Sequence, residues 1–237
     1  MEDFRVRGAV LAGSERAAVW DTLSCPEDME PVRPLVRGRN LTVFYSHVDW
    51  DHAWGTSGLP DVRAVVAQTS ARRRWEREGS LELENRRASH PGRYEAVHLV
   101  FPTVAFEERY TLALGDLSLE AQALPGHTAD SVVGLVPELG ILLGGDAVET
   151  PLPELNEGSP VRGWIEGLER WAVDDRVELV IPAHGEVGGK DLLRRTAGYL
   201  HNLLAGVTDP PQAPLDGFYA QVHERNVALV KGGLVEA

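Results

Sequence analysis

The chain has 237 residues with 36 acidic and 23 basic side chains, which give a formal net charge of −13. Such an acidic chain is a poor candidate for binding nucleic acids or anionic membranes, and its single cysteine, Cys25, excludes an intrachain disulfide framework. We predict one cytoplasmic domain over residues 1–237, because the sequence shows neither a signal-peptide pattern nor an apolar run of membrane-spanning length.

The first half of the chain alternates short apolar runs with turns. These runs predict strands over residues 7–11, 17–20, 41–45 and 64–67. Thr69 or Ser70 is expected to cap a helix over 71–78, and a second helix over 81–88 should end at the Ser-His-Pro-Gly sequence of 89–92.

The second half combines hairpins with longer helices. Hairpins are predicted over 111–121 and 131–143, and an apolar strand over 177–181. Helices are predicted over 161–172, 191–205 and 217–230. Antiparallel strands are expected to dominate the first half of the chain, so the pattern favours an α+β or layered α/β fold.

Four candidate metal ligands follow the predicted strand at 41–45. The segment S-H-V-D-W-D-H-A-W-G carries His47, Asp49, Asp51 and His52. Each residue alone has an ordinary structural explanation, and the whole string could be a solvated acidic turn. Imidazoles and carboxylates delivered together by the end of a strand are instead typical of a divalent-metal site.

Three later ligand candidates also follow apolar, strand-like stretches beside glycine or proline. They are His127 in L-P-G-H-T, Asp146 in I-L-L-G-G-D and His184 in I-P-A-H-G-E. Loops at the ends of strands are where binding and catalytic sites are usually built. The three segments therefore strengthen the interpretation as a metal site.

The order of these motifs resembles that of the metallo-β-lactamase superfamily. Its first motif is usually H-x-H-x-D-H, followed by a glycine-preceded His, a glycine-preceded Asp and a late His in a P-x-H-G context. The resemblance covers almost the whole chain and implies an α/β fold, a four-layer αββα sandwich. Asp49 departs from the pattern, because it stands where the family has its second His.

The resemblance also implies a site for two divalent metal ions. One ion would be held by His47 and His127, the other by Asp51, His52 and His184, and Asp146 would bridge them. Zinc is favoured, with iron or manganese as alternatives. A hydroxide bound to the two metals would attack an ester, thioester, lactone or similar acyl bond of a small-molecule substrate, with Asp51 as the candidate catalytic residue. The sequence indicates no oligomeric state.

Asp49 allows two interpretations. As a direct ligand it would complete the first ion's donor set, lower that ion's Lewis acidity and make iron or manganese more suitable. As an outer residue it would accept a hydrogen bond from a ligating imidazole without touching metal.

Several other residues are candidates for supporting roles near the site. Asp21 is either a support for the ligand loops or a plain turn residue. Glu149, just past Asp146, either faces the cleft or lies on the surface, and the surface is favoured. The arginines of the helix predicted at 71–78 form either a solvated face or a patch that attracts an anionic substrate. Residues 71–103 are a candidate lid, since they lie between the first two ligand motifs.

Two further functions remain open at this point. A carboxylate at position 49 also resembles the flavodiiron proteins, which have H-x-E-x-D-H, so an iron-dependent redox enzyme is one alternative. A metal-stabilised protein that binds a small molecule is the other. The complete set of ligands argues against the binding protein, because a decayed enzyme is expected to lose ligands.

Overall fold

The computed structural model describes residues 5–210, 215 and 217–236. The chain has a mixed α/β fold with two β-sheets and helices, which confirms the predicted fold class. It divides into two compact units, Met1–Gln122 and Ala123–Ala237. Among the described residues, no helix has both the length and the apolar character needed to cross a bilayer. The cytoplasmic location stays a prediction.

The first sheet lies in the first unit and has its strands in chain order. They are β1 (Ala9–Ala12), β2 (Arg16–Trp20), β3 (Asn40–Phe44), β4 (Val62–Gln68) and β5 (Val104–Phe106). Only β1 and β2 pair antiparallel, and the pairs β2–β3, β3–β4 and β4–β5 are parallel. The expectation of mainly antiparallel strands in this half was therefore wrong. Helical segments cross over between the parallel strands and reset the chain direction.

Four α-helices supply these crossovers. They are α1 (Arg33–Val36), α2 (Trp50–Ala53), α3 (Thr69–Arg74) and α4 (Ser80–Ser89). One π-helical turn, Trp75–Gly79, joins α3 to α4. The predicted cap at Thr69 or Ser70 was one residue late, because the side chain of Gln68 accepts a hydrogen bond from the Ser70 amide.

The predicted hairpin near residues 111–121 is confirmed. Strand β6 (Arg109–Ala113) pairs antiparallel with β7 (Ser118–Ala123). The Leu114 amide donates to the Leu117 carbonyl, and Gly115 has a φ of +107° in the turn. That backbone conformation favours glycine, which explains the residue found there.

Among its described residues, the second unit contains three further strands and three α-helices. Strand β8 (Val132–Val136) pairs antiparallel with β9 (Ile141–Gly145), and β10 (Leu179–Pro182) runs parallel to β9. The helices are α5 (Val161–Val173), α6 (Asp191–Leu204) and α7 (Gly217–Lys231). The predicted hairpin at 131–143 and all three predicted helices are confirmed within a few residues.

Each unit has its own hydrophobic core. In the first unit, Val43, Val65 and Trp54 are buried together with Trp75 and Tyr94. In the second unit, the apolar faces of α5 and α6 are buried against the strands. In both units the ends of the buried strands hold the candidate ligands in place.

Candidate metal centre

The first ligand motif is a tight turn that leaves the end of β3. His47 follows the strand, Asp49 occupies the N-cap position of α2 without a capping hydrogen bond from its side chain, and Asp51 and His52 lie within that single helical turn. His47, Asp51 and His52 are buried, and the ring centroids of the two histidines are 4.0 Å apart. The turn therefore brings the four ligand candidates of the first unit together.

Within this turn, each histidine has the carboxylate of an aspartate close to its Nε2 atom. His47 Nε2 lies 3.4 Å from Asp49 Oδ2, and His52 Nε2 lies 3.8 Å from Asp51 Oδ2. These separations exceed the 2.7–3.2 Å range typical of N–H···O hydrogen bonds. Two ligands that each lie about 2.0–2.1 Å from a tetrahedral zinc are roughly 3.3–3.5 Å apart. The His47–Asp49 pair has this spacing, whereas the two atoms of the His52–Asp51 pair lie slightly farther apart.

Asp21 supports this turn through three hydrogen bonds. Its carboxylate is buried and accepts hydrogen bonds from the Ser46 amide (2.7 Å), from the Ser46 hydroxyl (2.8 Å) and from His52 Nδ1 (3.0 Å). A histidine that donates from Nδ1 keeps the lone pair of Nε2 for a metal. The structure therefore favours the supporting role for Asp21 over that of a plain turn residue.

Asp49 has different partners on its two oxygens. Oδ1 accepts a hydrogen bond from the Arg74 guanidinium, and Oδ2 is the atom that lies beside His47 Nε2. This arrangement is compatible with ligation through Oδ2. Direct ligation by Asp49 stays a prediction.

The second unit places its three ligand candidates around one carboxylate. His127, Asp146 and His184 are all buried. Asp146 Oδ2 lies 3.8 Å from His127 Nε2, and Asp146 Oδ1 lies 3.6 Å from His184 Nε2. Each oxygen of Asp146 therefore faces a different imidazole, which is compatible with a carboxylate that bridges two cations.

Glycines allow the backbone to bring these ligands into position. A Cβ at Gly126 would lie 2.3 Å from a ring carbon of Trp164, so only glycine fits before His127. Gly185, directly after His184, has a φ of +95°, and a Cβ there would lie 2.0 Å from Thr150 Oγ1. The backbone beside these two ligands therefore requires glycine at positions 126 and 185.

Backbone contacts orient the imidazole of His127. Its Nδ1 donates to the Glu154 carbonyl at 2.9 Å, which leaves Nε2 for a metal. The side chain of Asn156 donates to the His127 carbonyl. Helix α7 holds this loop, since Arg225 bonds the side chains of both Glu154 and Asn156.

Glu149 was wrongly expected on the surface. It is only 5% exposed, and it accepts hydrogen bonds from the Tyr219 hydroxyl at 2.9 Å and from the Glu154 amide at 3.4 Å. Burial raises the pKa of Glu149 to about 7, and His184 and Asp146 act on it in opposite directions. The sequence contained no signal for this, because Tyr219 lies 70 residues away along the chain.

We expect Glu149 to make the stability of the metal-free protein depend on pH. The folded protein holds its proton up to pH of about 7, whereas the unfolded chain releases it near 4.5. The free energy of unfolding should therefore fall between these pH values, by on the order of 3 kcal/mol at about 1.4 kcal/mol for each pKa unit. Glu149→Gln should flatten this dependence.

Urea unfolding of the metal-free protein at several pH values measures the effect. The exposed Glu157 offers a matched control, and Glu157→Gln should retain the wild-type pH dependence. Identical pH profiles for wild type and Glu149→Gln would show that Glu149 does not titrate in this range.

Cys25 is a structural residue. The thiol is buried, and its sulfur donates weakly to the Arg93 carbonyl at 3.5 Å. Burial raises the pKa of Cys25 to about 11, so the reactive thiolate form is strongly disfavoured at neutral pH.

The chemistry of the donor set fits divalent transition metals. The first unit offers two imidazoles and two carboxylates, and the second offers two imidazoles and one carboxylate. Neutral imidazole nitrogens suit zinc, iron and manganese, and added carboxylates shift the preference towards the harder ions. The set lacks the thiolates that would favour softer ions.

Comparisons with known proteins agree with this chemistry. A family model described as the metallo-beta-lactamase superfamily matches residues 7–193. An acyl-coenzyme A thioesterase, MBLAC2, of Gallus gallus is 28% identical to this chain over 186 residues. The match covers 74% of this chain and 65% of the relative, so the chain spans about two thirds of that relative's length. A metallo-beta-lactamase type 2 of Bacillus sp. (strain 170) is 28% identical over 200 residues, with 82% and 69% covered.

A solved structure shares the fold. The metallo-beta-lactamase FIM-1 from Pseudomonas aeruginosa, described in a mono-zinc form, superposes with a TM-score of 0.63 at 17% identity, covering 83% of this chain and 84% of that one. At this identity the likeness shows the fold alone. It agrees with the architecture that the order of the sequence motifs implies.

Proposed function

The chain belongs to the metallo-beta-lactamase superfamily, and from this premise we propose that it is a binuclear metallohydrolase acting on an acyl bond of a small molecule. The observation that carries the proposal is the pairing of the donors. The ligand atoms of His47 and Asp49 have the spacing of two donors to one cation, and those of His52 and Asp51 lie 3.8 Å apart. Asp146 directs its two oxygens at two different histidines.

We assign the ligands as the family's motif order implies. His47, His127 and Asp49 would hold one cation, Asp51, His52 and His184 the other, and Asp146 both. Zinc is our favoured metal, because imidazoles form the larger part of the donor set. Iron and manganese are the alternatives that Asp49 supports.

Two bound cations would supply Lewis acidity and a nucleophilic water at neutral pH. The chain's own residues would hold the reacting groups in place. Asp21 and the Glu154 carbonyl fix the orientation of His52 and His127. We assign the catalytic role to Asp51, whose buried carboxylate can accept a hydrogen bond from the attacking water.

Thioesters are the substrate class that we favour among acyl compounds. The support is the similarity to acyl-coenzyme A thioesterases, which applies to most of the chain. β-Lactams are the second candidate, because similarity to a metallo-beta-lactamase type 2 is equally high. An iron-dependent redox reaction rests on Asp49 alone.

The proposed function predicts hydrolysis that depends on metal. Protein purified without chelators should contain close to two metal equivalents and should hydrolyse a short-chain acyl-coenzyme A more readily than nitrocefin. Treatment with a chelator should abolish the activity, and zinc should restore it.

The controls separate the alternatives. Two bound metals without hydrolysis across thioesters, esters, lactones and β-lactams would contradict the hydrolase proposal. Bound iron that is reduced and reoxidised, seen as a change in the absorption spectrum, would favour the redox alternative.

A further inference from the structure

We propose that Arg74 is a positioning residue that sets how Asp49 binds metal. Its guanidinium holds Oδ1 of Asp49 while Oδ2 lies beside His47, and its positive charge offsets the carboxylate that replaces the family's usual imidazole. This inference deepens the proposed function and rests on it for the presence of the metal.

The two oxygens of Asp49 lie against two different side chains. Arg74 donates to Oδ1, while Oδ2 lies 3.4 Å from His47 Nε2. The side chains of Arg74 and Asp49 are 24% and 22% exposed, so water only partly screens their interaction. A carboxylate held in this way can offer one oxygen to a cation, as tetrahedral zinc prefers.

Trp75, the residue after Arg74, also contacts the turn that carries the ligands. The Trp75 indole is buried and donates from Nε1 to the Val48 carbonyl at 2.8 Å. Two neighbouring residues of the helix thus contact two neighbouring residues of the ligand motif, Trp75 with Val48 and Arg74 with Asp49. The π-helical turn starts at Trp75, and such turns are frequent at functional sites.

The neighbouring arginines have carboxylates on their own helices. Arg72 pairs with Glu76 at 2.9 Å, and Arg86 pairs with Glu82 at 3.1 Å. Arg77 bonds Glu78 at 2.6 Å, and Arg74 reaches the same glutamate only at 3.6 Å. Arg74, which bonds Asp49, is therefore placed to neutralise that carboxylate, and the structure favours this role over a patch for anionic substrates.

The pair has a consequence for metal selectivity. A carboxylate in place of imidazole adds one negative charge to the donor set. The positive charge of the Arg74 guanidinium cancels it, so that the net charge equals that of the usual motif. Without Arg74, both oxygens of Asp49 can approach the cation, which suits the higher coordination numbers of manganese and iron. Arg74 is therefore expected to shift the preference of this position towards zinc.

The test measures equilibrium binding of Zn²⁺ and Mn²⁺ by competition with a chromophoric chelator. Arg74→Ala should lower the preference for zinc over manganese at one of the two positions, by the roughly 10–100-fold that outer-shell changes cause. Arg74→Lys keeps the charge but loses the planar fork, so it should recover part of the preference. Arg72→Ala, on the same helix, should match wild type.

The same measurement in an Asp49→Ala background decides the mechanism. If Arg74 acts through Asp49, adding Arg74→Ala to Asp49→Ala should leave the preference unchanged. An equal shift in both backgrounds, or no shift in Arg74→Ala, overturns the inference. Arg74→Gln replaces Arg74→Ala if the alanine variant unfolds, as judged by its thermal midpoint.

The outcomes also separate this inference from the proposed function. Two metals bound without hydrolysis would overturn the hydrolase proposal but would leave the selectivity of Arg74 measurable. A wild-type protein that binds neither metal would overturn both.

Discussion

Replacing Asp146 by alanine is expected to empty both metal positions. The two oxygens of Asp146 face His127 Nε2 and His184 Nε2, so one carboxylate serves the donor sets assigned to both cations. Its loss removes a ligand from each set and leaves the site with one negative charge fewer. Metal content should fall from about two equivalents to well below one, and hydrolysis should fall by more than the roughly 10–100-fold of outer-shell changes.

Elemental analysis of dialysed protein measures this loss directly. Asp175→Ala serves as the control, because Asp175 is an exposed carboxylate of the same unit. Asp146→Asn keeps the shape and one acceptor oxygen, so it should retain more metal than the alanine variant. Two equivalents still bound to Asp146→Ala would remove Asp146 from the site.

Replacing Asp21 by asparagine is expected to weaken metal binding without removing a ligand. Oδ2 of Asp21 accepts hydrogen bonds from Ser46 Oγ and from His52 Nδ1. An amide nitrogen in that place is a donor, so it would oppose the Nδ1 proton and favour the tautomer protonated at Nε2. That tautomer has no lone pair on Nε2, the nitrogen that would face the metal, and affinity at the His52 position should fall about 10–100-fold.

Asp61 provides a matched control for this change. Both aspartates have positive φ angles, 56° for Asp21 and 53° for Asp61, and asparagine tolerates this conformation. Asp61 is exposed, so Asp61→Asn should bind metal like wild type. Nitrogen NMR of the histidine rings reports the tautomer, and an unchanged His52 spectrum in Asp21→Asn would refute the argument.

The candidate ligands could be identified from the sequence because they lie in short motifs. His47, Asp49, Asp51 and His52 are separated by at most one residue, and a turn of that length must keep them together. The hairpins and the longer helices were likewise predictable, since their periodicity and turn residues are local properties. The family's motif order then related these residues to His127, Asp146 and His184.

Residues that orient the ligands were harder to identify. Asp21 lies 31 residues from His52, Arg74 lies 25 residues from Asp49, and Tyr219 lies 70 residues from Glu149. None of these pairs has a spacing that a sequence pattern can detect. The burial of Glu149, and with it the raised pKa, likewise depends on what folds over it.

By itself, the sequence determined the ligand motifs, the local elements and, through its resemblance to a family, the class of site. Only the tertiary structure decided that β2 to β5 run parallel, that Arg74 contacts Asp49 and that Glu149 is buried. Strand direction and side-chain partners are set by how distant segments pack. Alternating apolar residues indicate a strand equally well whichever way its neighbour runs.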